Sequence, residues 1–80
     1  MKLPRNVSGK VLIKSLKPLG YEISRQTGSH IRLTTNLGGI HNITIPNHDP
    51  IRIGTFASIL DDVAAHLKID RVELLKKLEL

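Results

Sequence analysis

Apolar and polar positions change rhythm along this chain, and each change marks an element. From residue 8 the period is helical: Leu12, Leu16 and Leu19 fall at i, i+4 and i+7, while Lys10, Lys14 and Lys17 repeat that spacing about half a turn away. Ser8 offers an N-cap, and the helix is expected to run to about Lys17 or Leu19. Pro18 removes a helical hydrogen bond and disfavours helical geometry at Lys17, so the last turn should be distorted before Gly20 stops it. The period then drops to two. Residues 21–26 read as a strand with Tyr21 and Ile23 inward, followed by a turn at Thr27-Gly28. Residues 30–35 form the clearest strand, in which Ile31 and Leu33 alternate with His30, Arg32 and Thr34. Period two therefore sets the histidine and the arginine on the face opposite the apolar residues. Gly38-Gly39 marks a loop, and residues 41–45 make a third strand with Ile43 and Ile45 inward, ended by Pro46.

After the turn-rich stretch Pro46-Asn47-His48-Asp49-Pro50 the helical rhythm returns. Thr55 is the expected N-cap of a second helix, whose apolar face is Phe56, Ile59, Leu60, Val63 and Leu67. Asp61, Asp62 and His66 lie away from much of that face, and His66 reads as an ordinary helix-surface residue. Asp70 with Glu73 makes an acidic capping box for a third helix, in which Leu74 and Leu78 stack. Lys68 occupies the link where a glycine would be easier. The order is αβββα plus a terminal helix. It predicts an α+β fold: a three-stranded antiparallel sheet with helices on one face, the other face carrying His30, Arg32 and Thr34 into the open.

Composition narrows what such a fold can be. Eighty residues make a single expected domain, 1–80, near the size at which one core stabilises a chain only narrowly. Without cysteine there are no disulfides or thiolate metal sites, and with Tyr21 and Phe56 as the only aromatic rings the core must be aliphatic. No apolar run approaches the roughly 18 residues of a membrane span and no signal-peptide pattern is visible, so a soluble cytoplasmic protein without membrane contact is expected. The net charge of +5 is unevenly spread. Residues 1–60 hold eight Lys and Arg against two acidic residues, and residues 61–80 hold four against five. The basic part therefore contains the central strands, and such a field favours a polyanion.

Within that part, Arg25-Gln26-Thr27-Gly28-Ser29-His30 combines a cation for phosphate, a glycine turn that lets backbone approach a ligand, and an imidazole able to move protons near neutral pH. RNA can be cleaved without metal when a base takes the 2′-hydroxyl proton and an acid protonates the departing 5′-oxygen. His30 suits either role, with Arg25 and Arg32 near enough in sequence to hold phosphate. Local sequence leaves open that His30 is only an exposed polar residue at a strand end. Ser29 lacks the Gly-x-Ser-x-Gly elbow of a nucleophile, so its hydroxyl is read as a turn or phosphate hydrogen bond. Lys10, Lys14 and Lys17 have the geometry of a phosphate-tracking helix face, or of a solvated one. His41 and His48, seven apart and without further ligand spacing, fall short of a zinc signature, and no metal or cofactor is expected. Parity turns His41 toward the core side. His48 either fixes its turn with Asp49 or approaches RNA as a second proton-transfer group.

Five blocks carry a resemblance: Ser8-Gly9-Lys10, Leu19-Gly20-Tyr21, Arg25 through His30, Thr44 through Pro50, and Gly54-Thr55-Phe56-Ala57-Ser58-Ile59-Leu60. In this order they resemble the HicA toxin family, messenger-RNA interferases of toxin–antitoxin modules, over about residues 8–80. The resemblance implies a fold similar to the double-stranded-RNA-binding domain and ribosome-independent cleavage of mRNA, by the toxin of a type II module. It implies that His30, in the family's Gly-Ser-His, is catalytic. It also implies a HicB-type antitoxin as partner, through which any DNA contact would be made. Pro18 and Lys68 depart from the commoner family pattern. Two other readings compete. One is a non-catalytic module that holds double-stranded RNA by shape and phosphates. The other is a helix-turn-helix in residues 60–80, against which the acidic balance of that stretch argues.

Overall fold

The computed structural model describes residues 3–80, in the order α1 (Gly9–Leu16), a 3-10 turn (Lys17–Leu19), β1 (Glu22–Thr27), β2 (His30–Thr35), β3 (His41–Pro46), α2 (Ile53–Leu67) and α3 (Arg71–Leu78). The strands form one antiparallel sheet in the order β1-β2-β3. This is the expected αβββα arrangement with a terminal helix.

Local signals set most of the boundaries. The Ser8 hydroxyl accepts a hydrogen bond from the Val11 N–H at 3.2 Å, capping α1. Pro18 converts the end of that helix into the 3-10 turn, and Gly20 stops it at φ 86°. Asp70 caps α3 by accepting from the Glu73 N–H at 2.8 Å. Lys68 closes α2 in left-handed geometry, at φ 58° and ψ 41°. Thr55 does not cap α2. The helix begins at Ile53 and has no side-chain cap, because the Arg52 carbonyl already accepts from the Phe56 N–H at 2.9 Å. The entry is anchored instead by buried Ile51, whose N–H donates to the Val7 carbonyl at 2.8 Å.

The core lies between the sheet and the helices. Leu12 and Leu16 of α1, Leu33 and Ile45 of the sheet, Leu60 and Val63 of α2 and Leu74 of α3 are all fully buried. Each such side chain stabilises the fold by about 1.5–3 kcal/mol relative to exposure. Leu74, Leu75 and Leu78 face inward, so α3 spends the residues that a DNA-reading helix would need on packing. The Arg71 guanidinium grips the Asp61 carboxylate through Nε and Nη2 at 2.7–2.9 Å, tying α3 to α2 at the surface. Such an exposed pair contributes about 0.2–1 kcal/mol.

β1 departs from simple alternation. Ile23 pairs with Leu33 and so lies on the helix side, yet it is 54 % exposed, because β1 is an edge strand that the helices leave partly uncovered. Between Ile23 and Arg25 the register shifts by a bulge at Ser24. The extra residue reverses the parity of everything after it. Arg25 would otherwise share a face with Ile23; the bulge sets it opposite Arg32 on the open face.

Candidate functional site

The site grows out of the β1–β2 hairpin. Thr27 pairs with His30 across the two-residue loop Gly28-Ser29, and Gly28 has φ 57°. A Cβ at Gly28 would meet nothing within 4 Å, so the glycine is needed for conformation and not for space. His30 opens β2, paired with Thr27 on one side and Pro46 on the other. All three therefore share the face away from the helices.

The loop after β3 is held against this hairpin and against the start of α1. The Asn47 N–H donates to the Ser29 carbonyl at 2.6 Å, and the Gly9 N–H, the first of its helix, donates to the His48 carbonyl at 2.9 Å. Gly9 permits that approach: a Cβ there would stand 2.5 Å from the Pro46 carbonyl oxygen and 3.1 Å from the Asn47 Cα. With Ile51 tied to Val7, the loop is fixed on both sides of His48.

As a result His30 and His48, eighteen residues apart in sequence, line one open depression of about 440 Å³ together with Thr44, Pro46, Arg52 and Thr55. Both histidines are exposed, and among the described residues neither side chain makes a hydrogen bond or an ion pair. Arg25 and Arg32 lie side by side on the adjoining open face, Arg32 opposite Thr44. Gly28 and Ser29 form the hairpin tip. Lys10, Lys14 and Lys17 are not in this depression; they line another, with Ile13, Ile23 and Ile31. Arg52 and Thr55 carried no sequence signal for the site beyond their place just after the proline-bounded turn.

The other two histidines are bound up in the opposite end of the sheet. The Tyr21 hydroxyl lies 2.7 Å from His41 Nδ1, and His41 Nε2 lies 3.3 Å from Asp62 Oδ1. Burial, and then the Asp62 carboxylate, push the Tyr21 phenol up to about 12, so it keeps its proton and donates to Nδ1. The His41 tautomer protonated at Nε2 satisfies both contacts. His66 stacks on His41 with ring centroids 4.3 Å apart, and its Nε2 donates to the Leu37 carbonyl at 2.8 Å. His66 is thus half-buried, and the helix-surface residue expected from the sequence also braces the loop after β2. Nor can His41 join His48: His41 opens β3 and His48 lies two residues past its end, with a strand about 17 Å long at its six residues between them.

A small α+β protein with a basic open sheet face and two unengaged histidines beside an arginine has the makings of a phosphate-handling domain. Compared with known families, residues 9–64 match the model described as HicA toxin of bacterial toxin–antitoxin systems. The chain belongs to the HicA toxin family. The matched stretch runs from the first residue of α1 into α2 and includes His30, His48 and Arg52; α3 lies outside it. No curated protein and no solved structure matches the chain.

Proposed function

We propose that this chain is the toxin of a type II toxin–antitoxin module and acts as a ribosome-independent mRNA interferase, cutting RNA in the depression lined by His30 and His48. One histidine takes the proton from a 2′-hydroxyl, the 2′-oxygen bonds to the adjacent phosphorus, and the bond to the 5′-oxygen breaks as the other histidine protonates it. The products are a 2′,3′-cyclic phosphate and a 5′-hydroxyl, and no external reactant is consumed. His30 is the principal acid–base group and His48 its complement. Arg52, with Arg25 and Arg32 on the adjoining face, holds the phosphates and stabilises the charge that develops on the reacting one. Gly28 and Ser29 bring backbone and hydroxyl to the same backbone path.

The observation that carries this reading is that two exposed histidines without partners among the described residues face one depression with an arginine. A packed structural histidine would have ring nitrogens engaged, as both are in His41 and Nε2 is in His66. Family membership implies a cognate antitoxin, and a HicB-type protein is the proposed partner, with any DNA contact made through it. The proposed place of action is the cytoplasm, where messenger RNA is met. No described helix is long and apolar enough to cross a membrane.

The test is cleavage of a defined RNA by purified protein, in the presence of a chelator. His30→Ala is expected to slow cutting by about 100-fold or more, and His48→Ala by a comparable factor, in the range of general acid–base catalysis. Cutting by His30→Ala at the wild-type rate sinks the catalytic reading. Tight binding of intact RNA by the wild type turns it into the non-catalytic one.

A further inference from the structure

We infer that the groove between α1 and β1 is a docking surface for a short extended segment of a protein partner, one in which acidic and apolar residues alternate. The groove encloses about 500 Å³. Its floor is apolar: Ile13 and Ile31 are buried, and Ile23, turned to the helix side by its pairing with Leu33, stands half uncovered. Its rim is cationic: Lys10, Lys14 and Lys17 are exposed, and none pairs with a carboxylate among the described residues.

These two features select one class of occupant. Nucleic acid would meet the lysines but leave the isoleucines facing a sugar–phosphate backbone. A uniformly apolar segment would leave the lysines without counter-charges. An extended chain lying in the groove can set apolar side chains down onto the isoleucines and the acidic side chains between them out to the lysines of the rim. The spacing agrees: Lys10 and Lys14 are about 6 Å apart along the helix axis, and alternate residues of a strand are about 6.6 Å apart.

The groove is distinct from the histidine depression. Ile31 points to the helix side of β2 where its neighbour His30 points to the open face, and the groove lies along β1 while the depression lies along β3. The inference therefore stands apart from the cutting reaction.

The test uses the full chain, labelled with nitrogen-15, and short synthetic peptides alternating Glu with Val, Lys with Val, and Glu with Ser, beside an oligouridylate. The Glu/Val peptide is expected to shift the amide signals of β1 and the first helix and to bind about tenfold or more tightly than either counterpart. Ile23→Glu should weaken it about tenfold, and Lys14→Ala by a smaller factor that shrinks further in high salt. The inference is overturned if the Lys/Val peptide binds as well, if the shifts gather at His30, His48 and Arg52, or if oligouridylate takes the groove and Ile23→Glu leaves its binding intact. Should Ile23→Glu lose its dispersed spectrum, Ile23→Ser replaces it, and the peptide series still decides on the unaltered protein. Because no RNA cutting is read, failure here leaves the reading of His30 untouched, and failure of His30 leaves this one standing.

Discussion

Replacing Gly9 by alanine tests whether the His48 loop is held by close packing. The new Cβ would lie 2.5 Å from the Pro46 carbonyl oxygen, where ordinary contact begins at 3.4 Å, so something must move by about 0.9 Å. Both nearest groups are backbone, in a loop already tied to Ser29 and Val7. Overpacking of this kind typically costs about 1–3 kcal/mol, and loosening the Gly9–His48 hydrogen bond adds about 0.5–1.5 kcal/mol. The helix propensity gained on leaving glycine offsets at most about 1 kcal/mol. Gly9→Ala is therefore expected to lose about 1–3 kcal/mol, lowering the melting temperature by roughly 5–20 °C for a chain of this size. Gly54 supplies the control, since it lies in the first turn of α2 with nothing within 4 Å of its Cβ direction. Gly54→Ala should stabilise by about 0.5–1 kcal/mol. Thermal melts followed by circular dichroism compare the two. RNA cutting, measured where both remain folded, should fall at least about tenfold in Gly9→Ala, because displacing a reacting group by about 1 Å can cost 100-fold. Equal stability shifts for the two variants, or full cutting by Gly9→Ala, would refute the argument.

Two further outcomes follow from the packing. Tyr21 is the only tyrosine and there is no tryptophan, so near-ultraviolet absorbance of tyrosinate reads this one group. Its folded value is raised to about 12 from 10.0. The stabilisation it contributes is thus complete below pH 10 and lost as the pH rises toward 12, about 2–3 kcal/mol in all. Tyr21→Phe should remove that part of the alkaline slope, and a midpoint near pH 10 in protein that keeps its native dichroism would contradict the buried phenol. Lys68 holds φ 58° without being glycine, so Lys68→Gly should raise the urea midpoint by the equivalent of about 0.5–1 kcal/mol, and a lowered midpoint would show that the lysine side chain holds the joint.

Much of the fold was legible because its signals are local. The leucines of α1, the alternation in β2 and the Asp70 cap each act within a few residues, and each appears where its spacing put it. What escaped depends on partners far off in the chain. The bulge at Ser24 arises from pairing with β2, and no period in β1 announces it, so neither the side taken by Arg25 nor the exposure of Ile23 could be read. Thr55 has the residue type of a cap, but the Arg52 carbonyl and buried Ile51 begin the turn before it. The bracing contacts of His66 leave no local signal, because its partners, the His41 ring and the Leu37 carbonyl, come from elsewhere in the chain. For the candidate site, parity gave the face of His30, but only the tertiary fold brings His48 and Arg52 to it.

The four histidines show why one end of the sheet is available for chemistry. At the end where β3 begins, the nitrogens of His41 meet Tyr21 and Asp62, and His66 braces Leu37, so movement of either ring would break contacts that hold the strand and loop in place. At the end where β2 begins, the His30 and His48 side chains make no hydrogen bond among the described residues, and the task of fixing the loop falls to backbone: Asn47 to Ser29, Gly9 to His48, Ile51 to Val7. Backbone carbonyls and amides keep their hydrogen-bonding character when an imidazole gains or loses a proton. A site fixed in this way can therefore cycle its imidazoles between charge states without loosening its own frame. The first-turn glycine of α1, whose lack of a side chain lets the loop close on the helix, is as much a condition of that frame as the histidines are of the proposed chemistry.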